Sequence, residues 1–362
     1  MSAASWNPAA VRAAQGLVLT TPQRAAIRAN MPVAPDGRIY ADAVFEGGGM
    51  RGIAFLGAMR CLSDAGVTVR KAAGTSAGAL TAAAVASRMP IAELEAAIGG
   101  MDFKEILAKK ARLVWNGRPD DDLDNMGLLL TNLMVARATG QYGTGPLLDF
   151  STALLRKRLS MFGDLDVRPG APWYAQRELK IVASDITRGQ MVVLPDDLPA
   201  YGRAAETFPV GEAVRLSMSI PLFFEPGALG DSVIVDGGIL SSFPLWLFDV
   251  PVGVKPCCPT FGFQVSAAKQ APRTVRGPLD VVTAIMQTMN VARDRHYARQ
   301  HDFNRVISID ASDVSVTDFF MGGATKDSLY ARGYRATKDF LLRTWDWESY
   351  VEQRARKKSR KL

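Results

Sequence analysis

Between residues 41 and 89 the sequence runs twice through a strand-like segment, a glycine-rich turn and a helix-like segment. The first unit is ADAVFE, GGGMRG and IAFLGAMRCLSDAG, and the apolar residues of its last segment recur at about every third position, as on one face of a helix. The second unit is VTVRKAA, GTSAG and ALTAAAVASRM. Two consecutive units of this kind predict a parallel sheet with helices on its faces, and therefore an α/β fold.

Further strand-like segments follow in the second half of the chain. They are LKIVASDI, VVL, DSVIVD, FGFQVS and RVISID, while PLDVVTAIMQTMNVARDRHYARQHD is typical of a long helix. Residues 91–160 show a largely helical pattern without a sheet pattern, and we predict that they form a cap or lid over a site. We therefore expect an amino-terminal arm (1–40), one α/β domain (41–345, with the cap at 91–160) and a basic carboxyl-terminal tail (346–362).

A glycine-rich loop follows the first strand-like segment. Its residues are Gly47, Gly48, Gly49, Met50, Arg51 and Gly52. Glycines at a helix amino terminus let backbone amides face a ligand, which suits either phosphate binding or the stabilisation of an oxyanion during acyl transfer. The loop also matches the dinucleotide fingerprint G-x-G-x-x-G, which expects an acidic residue at the end of the next strand, about 20 residues on. GTSAG stands there instead, so dinucleotide binding is disfavoured.

Ser76 lies in the second glycine turn, with Gly74 and Gly78 on either side. The pattern G-x-S-x-G is typical of a nucleophilic serine on a sharp strand-to-helix turn, although a serine that caps a helix produces the same letters. Since the turn comes one strand–helix unit after the glycine-rich loop, adjacent parallel strands would bring the loop amides and Ser76 to the same edge of the sheet. This position favours a nucleophile.

An Asp-Gly-Gly sequence, Asp236, Gly237 and Gly238, follows the apolar run VIV. Asp-Gly is first of all a turn signal. At the end of a strand, however, the carboxylate can reach the same sheet edge as Ser76. Asp236 is therefore a candidate partner for the serine.

The chain has only two histidines, His296 and His301, and both lie in the charged helical stretch RDRHYARQHD. On a helix they point about 140° apart. We expect them to face solvent or to form salt links. The order Ser76, Asp236, His296 nevertheless leaves a Ser-His-Asp esterase as an alternative.

Positive charge is concentrated at one end of the chain. The formal net charge is +7, and the last eleven residues, EQRARKKSRKL, hold six cations and one anion. Such a tail is either a solvated end or a segment attracted to an anionic membrane surface, so peripheral membrane contact is one prediction. No aromatic residues alternate with these cations, and nucleic acid is not expected as a partner.

Cysteine content and hydropathy favour a cytoplasmic protein. Cys257 and Cys258 are adjacent, which is poor geometry for a structural bridge, and no spacing of Cys and His residues predicts a metal site. No uncharged run reaches the about 20 residues that a membrane-spanning helix needs. We therefore expect no transmembrane segment.

Taken together, GGGMRG, GTSAG and DGG resemble, in content and order, the motifs of the patatin-like phospholipases. The stretch SMSIPLFFEP before Asp236 is also similar to that family, and FEGGGMRG is more like its bacterial branch than its plant storage proteins. The resemblance covers about residues 41–345. It implies a three-layer fold in which a mostly parallel central sheet is flanked by helices, with a helical cap region.

The resemblance also implies a phospholipase A-type lipid acyl hydrolase that forms an acyl-enzyme and needs no metal or cofactor. Ser76 matches the nucleophile, and Asp236 matches a carboxylate base that acts without histidine. The expected substrate is a phospholipid or another acyl-ester lipid. An activator, a homo-oligomer and delivery as an effector are all compatible with the family, and a non-catalytic protein that binds a membrane or a partner is a further alternative.

Other roles in the family's site carry over to residues of the loop and the cap. The oxyanion donors would be backbone amides of Gly48, Gly49 and Met50. Arg51 would steady the loop or lie near a phosphate. Apolar residues such as Leu128, Leu129, Leu130, Leu133 and Met134 would either line an acyl channel or form the core of a helix.

Overall fold

The computed structural model describes residues 6–99, 103–109, 140, 142–165, 170–221, 223–251, 253–265, 284, 288, 303–316 and 318–356. The helices are α1 (Pro8–Gln15), α2 (Thr21–Ala29), α3 (Ile53–Asp64), α4 (Ala77–Ala86), α5 (Ile91–Gly99), α6 (Gly145–Leu155), α7 (Val210–Ser217), α8 (Gly323–Asp339) and α9 (Trp347–Arg356). The strands are β1 (Ile39–Phe45), β2 (Val67–Thr75), β3 (Ala108–Lys109), β4 (Tyr142–Gly143), β5 (Glu178–Asp185), β6 (Gln190–Leu194), β7 (Gly227–Leu229), β8 (Ser232–Asp236), β9 (Thr260–Gln264) and β10 (Val306–Ser308).

Eight of these strands form one sheet in the order β10-β9-β1-β2-β5-β8-β7, with β6 also paired to β5. Strands β10, β9, β1, β2 and β5 run parallel to one another. Every residue of β1 is buried, as expected for a central strand that has helices on both faces. The α/β fold class is therefore confirmed, and the sheet is mixed because β6, β7 and β8 join it in antiparallel pairs.

Two strands meet end to end along one edge of β5. Strand β6 covers the other edge, opposite residues 181–185. On the shared edge, β2 pairs with β5 as far as Thr75, which lies opposite Val182. The next residue of β5, Ala183, lies opposite Asp236, the last residue of the antiparallel strand β8. The carboxyl ends of β2 and β8 are therefore neighbours, although the two strands arrive from opposite directions.

Helices α3 and α8 cross with backbone in contact with backbone. A Cβ atom added to Gly57 would lie 1.9 Å from the carbonyl oxygen of Tyr330, and one added to Gly333 would lie 1.8 Å from that of Ala54. Real Cβ atoms do not approach oxygen so closely. Only glycine at these two positions therefore permits this crossing, which holds α8 against the helix that follows the glycine-rich loop.

We predict that Gly57→Ala lowers the free energy of unfolding by about 1 to 2 kcal/mol, because overpacking a fixed backbone contact, at up to about 3 kcal/mol, outweighs the helix propensity of about 1 kcal/mol that alanine gains. Denaturant unfolding followed by circular dichroism measures the change. The matched control is Gly323→Ala at the start of α8, where an added Cβ would meet nothing within 4 Å. Equal stability of the two variants would contradict this account of the crossing.

The amino-terminal arm packs on the body of the protein. Its first helix begins at Pro8 and is capped by Asn7, whose side chain accepts hydrogen bonds from two amides of the first turn. Leu19 and Ile27 are buried in the main core. The indole Nε1 of Trp6 donates to Asp327 Oδ1 at 2.7 Å, which ties the arm to α8.

Two parts of the sequence-based organisation need correction. The predicted helical cap at 91–160 contains a small antiparallel pairing of β3 with β4, and two-residue strands are too short to show an alternating pattern. The start of the predicted tail is the helix α9, in which Tyr350 is buried and its hydroxyl accepts from the amide of Thr260 at 3.3 Å. Because Thr260 begins β9, α9 lies at the opposite edge of the sheet from Ser76. Among the described residues, no helix is both long and apolar enough to cross a membrane.

Candidate active site

Ser76 occupies a strained turn between β2 and α4. Its backbone has φ 55° and ψ −126°, a region that residues other than glycine rarely adopt. A Cβ on Gly74 would lie 2.2 Å from the carbonyl oxygen of Gly78, and one on Gly78 would lie 2.4 Å from that of Phe45. The two flanking glycines are therefore required by the sharpness of the turn. The residue Ser76 is 5% exposed.

The glycine-rich loop touches the serine. Residues Gly49–Gly52 form a single 3₁₀ turn that leads into α3, and Gly49 has φ +53°. A Cβ on Gly47 would lie 3.4 Å from the Cβ of Ser76, which is ordinary contact distance. The structure thus brings together the two motifs that the sequence placed on successive strand–helix units.

Several amides of this loop already have acceptors within the protein. Gly47 donates to the Ser242 carbonyl at 2.9 Å, and Arg51 donates to the Gly48 carbonyl at 3.2 Å. The Met50 amide donates to the Val316 carbonyl at 3.0 Å. The expectation that Met50 supplies an oxyanion donor is therefore not met, because its N–H is directed to Val316. The amides of Gly48 and Gly49 have no acceptor among the described residues.

The Arg51 side chain holds a distant segment against the loop. The side chain is buried, and its Nε donates to the Val314 carbonyl at 2.7 Å. A Cβ on Gly49 would lie 2.0 Å from the carbonyl oxygen of Val316. Arg51 and Gly49 thus both contact residues 314–316, and the two roles expected for Arg51 remain predictions.

Asp236 ends β8 and is 3% exposed. Its Oδ1 accepts from the Gly238 amide at 2.7 Å, and its Oδ2 has no partner of hydrogen-bond geometry among the described residues. Burial raises the pKa of this carboxyl to about 6, against smaller opposite effects of the nearby Ser76 hydroxyl and the Gly238 amide. Ser76 is thus close enough to influence the carboxylate, although it does not form a complete hydrogen bond to Oδ2.

The glycine after Asp236 explains how the strand ends approach so closely. A Cβ on Gly237 would lie 2.2 Å from the Val182 carbonyl oxygen and 2.9 Å from Cγ2 of Thr75. Any larger residue would separate β8 from β2. A serine hydroxyl and a buried, partly unsatisfied carboxylate are thereby held side by side, which is an arrangement that can move a proton from the first to the second.

An apolar cavity opens beside Ser76. It has about 780 Å³ of empty space, including its mouth, and Ser76 and Thr81 are the only lining residues with polar side chains among those described. The walls come from α3, α4, α5 and α6, and from the segment after α7. The cavity is lined by apolar residues that were not predicted as site residues, among them Leu56, Leu80, Leu94, Ile98, Leu147 and Phe224. Their helical periodicity is the ordinary signal of a core, so nothing local distinguishes them.

Other predicted site residues cannot be placed in the structure. His296 and His301 lie outside the described residues, and so do Leu128, Leu129, Leu130, Leu133 and Met134. Within the described part of the chain, no three His, Cys, Asp or Glu side chains converge on a common point as metal ligands would.

Comparisons with known proteins agree with this geometry. The patatin-like phospholipase family model matches residues 43–249, which include all three motifs. YqhO of Bacillus subtilis (strain 168) is 35% identical over 312 residues, which are 84% of this chain and 98% of YqhO. The NTE family protein MT2641 of Mycobacterium tuberculosis (strain CDC 1551 / Oshkosh) is 27% identical over 201 residues, and the match spans 56% of this chain and 27% of that protein.

The fold has a counterpart among solved structures. VipD from Legionella pneumophila superposes with a TM-score of 0.52 at 17% identity, covering 87% of this chain and 70% of VipD. At that identity the likeness concerns the fold alone. The family model, by contrast, covers more than half of the chain and contains the loop, the serine turn and the Asp-Gly-Gly turn that the structure assembles at one sheet edge. By sequence, the chain belongs to the patatin-like phospholipase family.

Proposed function

We propose that the protein is a lipid acyl hydrolase of the phospholipase A type, which cleaves fatty-acyl esters of glycerophospholipids through a Ser76–Asp236 dyad. One observation carries the proposal: Ser76 stands at the wall of an apolar cavity, beside a buried carboxylate whose Oδ2 has no other described partner. A nucleophile, a base and a binding site for an acyl chain are thus adjacent.

In the first step, the Ser76 hydroxyl attacks the ester carbonyl carbon while its proton passes to Oδ2 of Asp236. The tetrahedral intermediate then breaks its bond to the alcohol oxygen, which takes that proton and leaves as the lysolipid. In the second step, Asp236 accepts a proton from a water molecule that attacks the acyl-enzyme. The fatty acid is released and the serine recovers its proton.

The electrostatics of Asp236 suit a base without histidine. An ordinary carboxylate accepts a proton from an alcohol poorly, because their pKa values lie far apart. Burial narrows that gap by raising the pKa of Asp236 to about 6, which leaves the group ionised at neutral pH and yet more basic than an exposed aspartate. The remaining cost must be met by stabilising the oxyanion.

The backbone amides of Gly48 and Gly49 are the proposed oxyanion donors. They belong to the loop that contacts Ser76, and the amides of their neighbours already have acceptors within the protein. Donors fixed before the reaction cost no reorganisation when charge develops on the substrate oxygen. The contact of Arg51 with residues 314–316 would keep these two amides in place.

We predict that Gly49→Ala lowers kcat by about 10²- to 10³-fold, as the loss of an oxyanion donor does elsewhere. The added Cβ would meet the Val316 carbonyl at 2.0 Å and push the loop away from Ser76. Gly189→Ala is the matched control, because Gly189 also has a positive φ but nothing within 4 Å of an added Cβ. Kinetics on a diacyl phospholipid in mixed micelles compare the two, and similar losses would contradict the assignment.

The apolar lining of the cavity suits the acyl chain of a lipid substrate. Each methylene that leaves water for an apolar wall contributes about 0.8 kcal/mol, so long-chain esters should be bound more tightly than short ones. The phospholipid head group would stay at the mouth, outside this lining. The cavity therefore supports a lipid ester as the substrate class.

The decisive experiment identifies products. The purified protein is incubated with a mixed lipid extract, beside the Ser76→Ala variant, and lipids are quantified by mass spectrometry. We expect lysophospholipid and free fatty acid with the native protein only, and a serine-reactive fluorophosphonate should modify the peptide that contains Ser76. Equal products from both proteins would overturn the proposal. No product and no labelling would favour a non-catalytic binding protein instead.

A further inference from the structure

The stretch SMSIP, which the family resemblance included without a role, runs across both members of the dyad. Helix α7 ends at Ser217, which is fully buried. Its Oγ accepts a hydrogen bond from the Ser76 amide at 2.8 Å and donates one to the Val182 carbonyl at 2.6 Å. A single hydroxyl thus connects the backbone of the serine to β5.

The base is held by the same stretch two residues later. The Asp236 amide donates to the carbonyl oxygen of Ser219 at 2.9 Å, and Ser219 is also fully buried. Met218, between the two serines, lines the cavity beside Ser76. Three consecutive residues, 217–219, therefore contact the proposed nucleophile, the acyl site and the proposed base in turn.

We propose that Ser217 is a positioning residue for the hydrolysis, whose hydroxyl fixes the strained backbone of Ser76 at a constant distance from Asp236. The inference rests on the proposed function, since it assumes that Ser76 is the nucleophile. Ser217 touches neither the substrate nor the reacting atoms. It acts through the amide of Ser76 alone.

The geometry explains why such a group is needed. The amide of Ser76 donates to the hydroxyl of Ser217, and not to a carbonyl of the β2 ladder or of α4. The Thr75–Val182 pair is the last pair of the β2–β5 ladder. Beyond this pair, Ser76 does not bond directly to β5. The hydroxyl of Ser217 bridges the two instead, because it accepts from the Ser76 amide and donates to the Val182 carbonyl.

Loss of that hydroxyl would leave two buried polar groups without partners, the Ser76 amide and the Val182 carbonyl. Such groups cost enough free energy that the backbone shifts to find other partners. A shift at Ser76 moves its Oγ relative to Oδ2 of Asp236. Displacements of about 1 Å in an active site lower rates by about 10²-fold.

The test is the Ser217→Ala variant. We expect kcat to fall about 10- to 100-fold, by analogy with other misplaced catalytic groups, while KM stays within about twofold because the cavity wall is unchanged. The rate of fluorophosphonate labelling of Ser76 should fall by the same factor as kcat. The acidic limb of the pH profile, which reports Asp236, should persist and move slightly to higher pH, because a displaced Ser76 hydroxyl lowers the pKa of that carboxyl less.

Ser151→Ala is the matched control for stability. Ser151 is also fully buried, and its Oγ donates to the Gly211 carbonyl at 3.2 Å, at the other end of α7. Removing it weakens the same helix without touching the dyad. We expect this variant to unfold at a lower temperature with an unchanged kcat. If Ser217→Ala and Ser151→Ala retain the same kcat, Ser217 is merely structural and the inference is overturned.

A second variant covers the case in which Ser217→Ala does not fold. Ser217→Cys fills the same space with a weaker donor and acceptor, and kcat should fall between those of the native protein and of Ser217→Ala. A Ser217→Cys enzyme with native kcat and labelling rate would also overturn the inference. Failure of the proposed function looks different, because the native protein itself would then neither hydrolyse lipid nor react with the fluorophosphonate.

Discussion

Ser76→Ala is expected to lower kcat for phospholipid hydrolysis by about 10⁴- to 10⁶-fold, the range found when a nucleophilic serine is removed from other hydrolases. Alanine retains the Cβ atom and must adopt the same φ of 55°, so the strain of the turn is unchanged. The fold should therefore be preserved, and the loss should be chemical. Fatty-acid release from a diacyl phospholipid, measured at enzyme concentrations high enough to detect a residual rate, gives the factor.

Two controls accompany this measurement. Ser63→Ala removes an exposed serine from α3 and should leave kcat unchanged. Circular dichroism and the unfolding temperature of Ser76→Ala should match those of the native protein. Retention of more than about a tenth of the native rate would exclude Ser76 as the nucleophile, because such variants lose at least several powers of ten.

Asp236→Asn is expected to lower kcat by about 10³- to 10⁴-fold, since a general base contributes a factor of this order. Asparagine can still accept the Gly238 amide through Oδ1, so the turn should persist. The native protein should show kcat/KM falling about tenfold per pH unit below pH about 6, where Asp236 becomes protonated and cannot accept a proton. A pH–rate profile measures this limb, and the small residual rate of the variant should lack it.

The same substitution is expected to stabilise the fold. In the native state the pKa of Asp236 is raised from its ordinary 3.8 to about 6, so above pH 6 the folded protein carries a buried charge that the unfolded chain solvates. This destabilises the fold by about 3 kcal/mol at neutral pH, and the penalty disappears as pH falls from 6 to 4. Asp236→Asn should therefore unfold at a higher temperature than the native protein at pH 8, and the difference should shrink at pH 5.

The histidines provide the matched control for the base. His296→Ala combined with His301→Ala should leave most of the turnover intact if Asp236 acts alone. Loss of turnover in that double variant, together with substantial activity of Asp236→Asn, would instead favour the Ser-His-Asp esterase. The two outcomes are opposite, so one set of purified variants distinguishes the mechanisms.

The parts of the site that could be predicted are those encoded within a few consecutive residues. GTSAG specifies a turn too tight for side chains beside Ser76, and GGGMRG specifies a glycine-rich turn that leads from a strand into a helix. Both were placed correctly because β1 and β2 are consecutive parallel strands that are also neighbours in the sheet. The family and the α/β class followed from the same local signals.

The parts that could not be predicted depend on contacts between distant residues. Nothing in the run VIVD indicates that β8 is antiparallel to β5, yet Asp236 reaches Ser76 only because β8 stops where β2 ends. The Met50 amide is satisfied by Val316, more than 250 residues away along the chain. Strand direction and hydrogen-bond partners of this kind are set by the whole fold, and local periodicity does not encode them.

The glycine crossing of α3 and α8 has a consequence for how the sequence of this protein can diverge. At Gly57 and Gly333 each helix meets the other's backbone, so no substitution on the opposite helix can relieve a clash there. A side chain that grows in an ordinary core can be accommodated by a neighbour that shrinks, and such exchanges leave correlated changes among homologues. Here no compensating partner exists. We expect Gly57 and Gly333 to change rarely and independently of each other. Covariation between homologous sequences would therefore not detect the contact that places α8 and, just before it in the chain, the segment 314–316 that contacts the glycine-rich loop.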